Sequence, residues 1–269
     1  MSTTPDPRCP RKAVIVAAGM GRRLRPYTDD MPKCLVPVCG RPILLWQLDA
    51  LRANGITEVV VVRGYRGDVL EARRSELGPG VKFVDNLDYR RNNILQSLFK
   101  AEAELDQPLV FSYADIVFRP EVVASLLASP GDISLVVDRG YADAYRGRTL
   151  HPLSEAELCA VSAAGLVTAL GKGAVPVEKA YGEFIGLAKL SQTGVDALTE
   201  SWRSLDKELS ARPATPFVRA TSWENAFLTD LLQHLIDHGA AVSPVPIHGC
   251  WREIDTVEDL TLAERMLAW

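Results

Sequence analysis

The feature that most constrains this chain is a short apolar run that leads directly into a loop rich in glycine and arginine. Residues 13–18 are all apolar, and Gly19 and Gly21 follow them. Four positive charges then stand within twelve residues, from Arg22, Arg23, Arg25 and Lys33. The apolar run is typical of a buried parallel strand, and the glycines let the backbone turn sharply beside a ligand. Because N–H groups exposed at such a turn bind anions, the segment predicts a phosphate-binding junction.

The loop does not match two well-known phosphate-binding motifs. A Rossmann fingerprint requires G-x-G-x-x-G, and Leu24 stands where its third glycine would be. A P-loop requires G-x-x-x-x-G-K-[ST], and the chain contains no such string. The alternative interpretation is a structural turn with solvated arginines, and Gly-x-Gly alone does not distinguish between the two.

Apolar runs alternate with helix-like segments along the first half of the chain. Strands are predicted at residues 13–18, 59–62, 81–84, 109–113 and 133–137, and helices at 42–53, 68–77, 92–104 and 120–127. This alternation favours an α/β fold with a Rossmann-like, mostly parallel (mixed) sheet and helices on both faces. Ligands bind such sheets beyond the carboxyl ends of the strands. Gly19, Asn86 and Asp115 each follow a predicted strand, so we expect them at one edge.

The second half of the chain has a different pattern. It predicts an inserted β-hairpin at residues 158–161 and 166–170, strands at 181–190 and 242–247, and helices at 193–209, 223–238 and 256–267. We see no internal repeat and no long linker. The chain is therefore expected to have a flexible tail at residues 1–11 and a single domain at residues 12–269.

Composition limits the function classes. The net charge of −4 argues against bulk nucleic-acid binding, which requires a basic face. Five cysteines without a C-x-x-C pair argue against a zinc site or a disulfide framework. No apolar run approaches the roughly 20 residues that span a bilayer, and the polar N-terminus lacks the apolar segment of a signal peptide. We expect a cytoplasmic protein with no membrane partner.

The loop resembles a family signature once its full length is considered. G-x-G-x-R-L-x-P, followed by P-K, resembles the signature of nucleotidyltransferases that join an NTP to a phosphorylated small molecule. The matching residues are Gly19, Gly21, Arg23, Leu24, Pro26, Pro32 and Lys33. Arg22 is a departure, since family members often have Ser or Thr there. The resemblance implies a glycosyltransferase-A-like fold with a nucleotide-binding half at residues 12–138 and an acceptor-binding half at residues 139–269.

Later segments resemble one branch of this superfamily. The string at residues 251–260 is similar to its second metal motif. Residues 92–98 resemble the phosphocholine and phosphonate cytidylyltransferase branch, and residues 181–188 and 224–230 resemble its phosphonate members. The sugar-1-phosphate nucleotidylyltransferases usually have a Gln-containing base-binding segment where this chain has Asn92 and Asn93.

The chemistry of nucleotidyl transfer indicates what the site must contain. The attacking phosphate or phosphonate oxygen is already anionic, so positioning and charge neutralisation matter more than a general base. A Mg²⁺ ion held by one or two carboxylates serves both needs. The resemblance assigns Asp115 and Asp255 to this metal, although they are 140 residues apart. Their spacing alone would instead favour caps, with Asp255 beginning the last helix beside Glu258.

The resemblance also assigns nucleotide-binding residues. Lys33 and Arg23 are the catalytic candidates. Lys33 is expected to neutralise charge at the α-phosphate, and Arg23 to bind the outer phosphates in a bidentate manner. Arg22 either assists or is solvated. The expected nucleotide contacts are completed by Ala17, Ala18, Gly19, Gly21, Asn86 and Asn93. For Asn93 the alternative is a plain helix cap. The expected preference for CTP over other nucleotides rests on the resemblance.

The acceptor site is expected to draw on the second half of the chain. Glu183 is a carboxylate on an apolar predicted strand, where an unpaired charge is costly, so it either binds an ammonium group or pairs with Lys172 or Lys179. Further acceptor-binding candidates are Tyr113, Arg139, Glu224 and Trp251. For the aromatic residues the alternative is core packing, and for Glu224 it is a place in the first turn of a helix.

These observations lead to one hypothesis and two alternatives. The chain is expected to be a Mg²⁺-dependent cytidylyltransferase that transfers CMP from CTP to a small phosphonate or phosphoalcohol. 2-Aminoethylphosphonate or a hydroxyalkylphosphonate is the first acceptor expected, and phosphocholine the second. The alternatives are a sugar-1-phosphate nucleotidylyltransferase and a catalytically inactive nucleotide-sensing module. Assembly as a homodimer stays open.

Overall fold

The computed structural model describes residues 9–266, so most of the predicted tail at residues 1–11 lies outside the described residues. The strands are β1 (Lys12–Ala17), β2 (Pro37–Val38), β3 (Arg41–Pro42), β4 (Glu58–Arg63), β5 (Val81–Asp85), β6 (Leu109–Tyr113), β7 (Ile116–Phe118), β8 (Ile133–Asp138), β9 (Glu157–Val161), β10 (Val167–Lys172), β11 (Gly182–Leu190), β12 (Val242–Ile247) and β13 (Trp251–Glu253). The helices are α1 (Ile43–Ala53), α2 (Gly67–Ala72), α3 (Ile94–Phe99), α4 (Pro120–Ala128), α5 (Tyr141–Ala144), α6 (Gln192–Leu209), α7 (Leu228–Asp237) and α8 (Val257–Met266).

One large mixed sheet organises the fold. Its main order is β10-β9-β11-β6-β1-β4-β5, and β8 joins β11 to β12 at one side. The pairings of β1 with β4 and β6, of β4 with β5, and of β8 with β12 are parallel, whereas β11 runs antiparallel to its neighbours. The prediction of an α/β fold with a mixed, mostly parallel sheet is confirmed.

Strand β1 shows why the sheet is covered on both faces. Val14 and Val16 belong to a core that includes residues of α3, α6 and α7. Ala13 and Ile15 belong to a second core, on which α1 and α4 pack. Successive side chains of a strand point to opposite faces, so a continuous apolar run is buried only when helices cover both sides.

Several predicted helices are shorter than expected. The segment predicted at 92–104 is helical at Ile94–Phe99, and it begins there because the Asn93 side chain accepts a hydrogen bond from the Ile94 N–H at 2.9 Å. The segment predicted at 223–238 contains a 3₁₀ turn at Trp223–Asn225 followed by α7. Helix α7 starts late because the Asp230 carboxylate accepts a hydrogen bond from the Phe227 N–H at 2.8 Å.

Strand β11 changes partner along its length. Glu183 pairs with Leu158 of β9, whereas Leu187 pairs with Ser112 of β6. The register against β8 shifts between these two parts of the strand. Gly186 lies at this point with φ +82°, and a Cβ there would lie 2.2 Å from Cδ2 of Tyr113. The bend therefore requires glycine for its backbone conformation and for the space that Tyr113 fills.

Within residues 9–266, no helix combines the length and the apolar character that crossing a membrane would need.

Replacing Gly186 by alanine should destabilise the fold more than an ordinary glycine substitution. We expect Gly186→Ala to cost about 1–2 kcal/mol for the left-handed backbone and about 1–3 kcal/mol more for the overpacked Tyr113 ring. Gly239→Ala is the matched control, since Gly239 has φ +90° with nothing within 4 Å of the added Cβ. Urea unfolding measures both free energies. Equal losses in the two variants would contradict the packing argument.

Candidate active site

A cavity of about 400 Å³ opens beyond the carboxyl ends of β1 and β6. Its size suits a small-molecule site. Most of the residues that the sequence singled out line it: Ala17, Ala18, Gly19, Gly21, Arg22, Arg23, Lys33, Asn93, Tyr113, Asp115, Glu183, Trp251 and Asp255. Residues that follow the parallel strands β1 and β6 meet here as predicted, and residues from the second half of the chain join them.

Three residues predicted to contact ligands do not line this cavity. Asn86 is fully buried, and its amide nitrogen donates hydrogen bonds to Asn92 Oδ1 at 2.9 Å and Ser97 Oγ at 2.8 Å. Arg139 is exposed and lies over the ring of Tyr181, 4.0 Å from its centroid. Glu224 is also exposed. Asn86 instead orients two residues that do line the cavity.

Asn93 lines the cavity, but both polar atoms of its side chain have protein partners. Its oxygen accepts the hydrogen bond that begins α3, and its nitrogen donates to the Asn225 carbonyl at 3.0 Å. The helix-cap alternative is therefore present in the structure. Asn92, which sequence analysis treated only as part of a motif, also lines the cavity.

A short ribbon brings the two predicted metal ligands together. Strand β7 pairs antiparallel with β13, with Ile116 opposite Glu253. The Ile254 N–H extends this ladder by donating to the Asp115 carbonyl at 2.8 Å. Asp115 and Asp255 therefore leave the same end of the ribbon. The strands have three residues each, too short for apolar periodicity to reveal them.

Lys33 joins these carboxylates. Its Nζ lies 2.9 Å from Asp115 Oδ2 and also contacts Asp255 Oδ1, and the Lys33 side chain is 13% exposed. Burial alone would lower the pKa of Lys33, but the two carboxylates outweigh it and raise the pKa above its ordinary value. Arg23 forms a further ion pair with Asp255. Despite burial, these cations hold the pKa of Asp255 well below its usual range.

The glycine loop is fixed against Lys33. Gly21 has φ +56°, and a Cβ there would lie 3.1 Å from both Lys33 Cβ and Thr28 Cγ2. The Thr28 hydroxyl donates to the Gly21 carbonyl at 2.8 Å, and the Tyr65 hydroxyl donates to the Thr28 carbonyl at 2.9 Å. These contacts hold the loop backbone close to the lysine. Arg22 stays exposed.

A buried network behind Asp255 was not predicted from the sequence. Asp259 accepts hydrogen bonds from the N–H groups of Asp255 at 3.0 Å and of Thr256 at 2.8 Å. His151 Nδ1 lies 3.2 Å from Asp255 Oδ2. Arg148 lies 2.7 Å from Asp259 and 3.2 Å from Glu253. The turn that carries Asp255 is therefore held by a loop more than a hundred residues away in sequence, which no local pattern could indicate.

The part of the cavity lined by the second half of the chain contains buried acids. Glu183 accepts a hydrogen bond from the Tyr145 hydroxyl, and Glu157 accepts from the hydroxyls of Tyr113 and Thr229, each at 2.9 Å. Glu157 was not predicted from the sequence, because its partners are distant in the chain. Lys172, one of the two cations considered for Glu183, instead pairs with Glu155 at 3.1 Å.

The donor atoms around Lys33 suit a hard divalent cation. Asp115 Oδ1 is buried and has no hydrogen-bond partner, and carboxylate oxygens are what Mg²⁺ prefers. A second grouping, His151 with Glu253 and Asp255, places its ligand atoms within 4.8 Å of one another. Its imidazole is less suited to Mg²⁺, and Glu253 already forms an ion pair with Arg148. Asp115 and Asp255 therefore fit the expected metal better.

Comparison with known protein families places the chain among enzymes of this chemistry. A model of the MobA-like NTP transferase domain matches residues 13–181, well over half of the chain. This chain belongs to the MobA-like NTP transferase family. The resemblance carried by Gly19, Gly21 and Lys33 is thereby confirmed. The chain is a nucleotidyltransferase of this family.

Comparison with individual proteins gives more specific similarities. The chain is 32% identical to the CTP:phosphoglutamine cytidylyltransferase of Campylobacter jejuni over 254 residues, covering 92% of this chain and 97% of that protein. It is 39% identical to the CMP-5'-(3-aminopropyl)phosphonate synthase of Streptomyces rubellomurinus over 138 residues, covering 51% of this chain and 22% of that protein. The structure of the CTP:phosphocholine cytidylyltransferase of Streptococcus pneumoniae matches with a TM-score of 0.72 at 20% identity, over 95% and 98% of the two chains. At that identity the likeness shows the fold alone.

The network behind Asp255 predicts a large effect of removing Arg148. We expect Arg148→Met to lower the free energy of unfolding by about 3 kcal/mol, because Asp259 and Glu253 would lose their buried cation. Arg146→Met is the matched control: its side chain is 83% exposed and pairs with Asp143, so its cost should stay below about 1 kcal/mol. Urea titration measures both. An Arg148→Met variant as stable as Arg146→Met would refute the structural role of this network.

Proposed function

We propose that this nucleotidyltransferase transfers CMP from CTP to a small phosphonate or phosphoalcohol and releases pyrophosphate, with Mg²⁺ as its cofactor. An aminoalkyl- or hydroxyalkylphosphonate is the first acceptor proposed, and phosphocholine the second. The observation that carries the proposal is the cluster of Lys33, Asp115 and Asp255 beside the glycine loop. The relatives named above support CTP and phosphorus-containing acceptors of this size.

Each residue of this cluster has a separate proposed role in neutralising the negative charge of the triphosphate. Asp115 and Asp255 would hold the Mg²⁺ ion, which when bound neutralises phosphate oxygens and orients them. Arg23 has a planar guanidinium that suits the β- and γ-phosphates. The backbone at Ala18, Gly19 and Gly21 lines the same wall of the cavity, where its N–H groups would contact the triphosphate.

The transfer itself needs no general base in the protein. The acceptor oxygen is anionic at neutral pH and attacks the α-phosphorus in line. One P–O bond forms, the bond to the bridging oxygen breaks, and pyrophosphate leaves with the electron pair. Lys33 would stabilise negative charge on the α-phosphate as this happens, since a buried amine interacts strongly in a site from which water is largely excluded.

A pyrophosphate-release assay tests the proposal directly. Each of the four NTPs would be combined with 2-aminoethylphosphonate, 2-hydroxyethylphosphonate, phosphocholine, phosphoglutamine and glucose-1-phosphate. We expect release with CTP and a phosphonate or phosphoalcohol, and loss of release when EDTA removes divalent ions. Activity confined to glucose-1-phosphate would favour the sugar-1-phosphate alternative, and activity undiminished by EDTA would refute the role of Mg²⁺.

Replacing Lys33 separates catalysis from binding. We expect Lys33→Met to reduce kcat by about 10²- to 10³-fold while the KM for CTP changes little, because the amine would act on charge that develops in the transition state. Lys82→Met is the control, since Lys82 is an exposed lysine paired with Glu104. Steady-state kinetics give both constants. A raised KM with an unchanged kcat would assign Lys33 to binding only.

A further inference from the structure

Two acids in the part of the cavity lined by the second half of the chain are buried without a cationic partner. Glu183 is 4% exposed and Glu157 is 7% exposed, and both line the cavity. Of the cations in the part of the chain that the structure describes, none lies within ion-pair distance of either carboxylate. Buried carboxylates are normally paired, so this arrangement indicates a site for a positively charged ligand group.

The hydrogen bonds of the two acids differ in one respect. Both oxygens of Glu157 accept from hydroxyl groups, those of Tyr113 and Thr229. Glu183 accepts from Tyr145 through Oε1 only, and its Oε2 is buried with no hydrogen-bond partner. An unmade hydrogen bond at a buried oxygen is costly. A ligand group that carries both a positive charge and an N–H donor would therefore satisfy this site.

Glu183 and Glu157 line the same cavity as Asp115 and Asp255, the proposed metal ligands. Glu253 also lines this cavity, and it stands two residues before Asp255 in the sequence. Burial first, and then the negative charge of Glu253, raise the pKa of Glu183 well above its ordinary value. A ligand cation would reverse this shift by stabilising the ionised carboxylate. One small molecule can therefore present phosphorus to the cluster at Lys33 and a cation to Glu183.

We propose that the acceptor carries a primary ammonium group at the end remote from its phosphorus, and that Glu183 Oε2 accepts a hydrogen bond from it. This inference rests on the proposed function and narrows its acceptors. An aminoalkylphosphonate meets both demands, whereas a trimethylammonium group has no N–H and a hydroxyl group has no charge.

Paired acceptors test this selectivity in the wild-type enzyme. With CTP and Mg²⁺, kcat/KM should be at least about tenfold higher for 2-aminoethylphosphonate than for 2-hydroxyethylphosphonate. It should also be at least about tenfold higher for phosphoethanolamine than for phosphocholine, which differ only in the methylation of nitrogen. Equal or better use of the hydroxyl or trimethylammonium acceptor would overturn the inference while leaving cytidylyl transfer intact.

A variant assigns the selectivity to Glu183. Glu183→Gln keeps the size of the side chain but removes its charge, so kcat/KM for 2-aminoethylphosphonate should fall at least about tenfold. The values for 2-hydroxyethylphosphonate and the KM for CTP should stay unchanged. Glu178→Gln, at an exposed glutamate outside the cavity, should behave as wild type. An equal loss for both acceptors in Glu183→Gln would show a structural role instead.

Calorimetry separates failure of this inference from failure of the proposed function. If no NTP is turned over, the proposed function is wrong. Binding of 2-aminoethylphosphonate that is lost in Glu183→Gln but kept in Glu178→Gln would still support the ammonium site. Binding of 2-hydroxyethylphosphonate as tight as that of 2-aminoethylphosphonate, or no binding of the amine at all, would refute it.

Discussion

The ion pairs that Lys33 makes with Asp115 and Asp255 are the interaction on which the site depends. Two carboxylates this close together repel each other, and burial removes the water that would screen them. The lysine amine neutralises that repulsion, and Arg23 adds a second cation on the solvent side. A divalent ion at the proposed site would take over this neutralisation and leave the amine free to face phosphate. One cluster thus joins the ion pairs that hold the site together to the chemistry proposed for it.

The fold is arranged to bring this cluster together from three distant segments. The segment after β1 carries Lys33, and Asp115 follows the end of β6. The ribbon of β7 and β13 brings Asp255 to the same edge of the sheet. Arg148 and Asp259 then fix the turn that carries Asp255. Glu183, on the part of β11 that pairs with β9, lines the same cavity. One continuous sheet therefore holds strands from both halves of the chain.

Sequence patterns predict which residues follow the parallel strands much better than they predict contacts between side chains that are distant in the chain. Parallel strands place their carboxyl ends together, so the residues after β1 and β6, including Asp115, were expected at one edge. The resemblance added Asp255, whose spacing alone favoured a helix cap. Asn86 was expected to contact the base, but its position at a strand end could not reveal that the amide points into the core. Glu157 and His151 were missed because their partners lie far away in the chain, and contacts of that kind leave no local periodicity.

Metal binding tests the central claim most directly. Mn²⁺ can replace Mg²⁺ as an EPR-visible probe, titrated in the presence of a non-hydrolysable CTP analogue. The wild-type enzyme should bind Mn²⁺ at a site whose affinity falls at least about tenfold in both Asp115→Asn and Asp255→Asn, because each variant removes one charged ligand. Circular dichroism would verify that both variants stay folded. Unchanged Mn²⁺ affinity in the two folded variants would contradict the account.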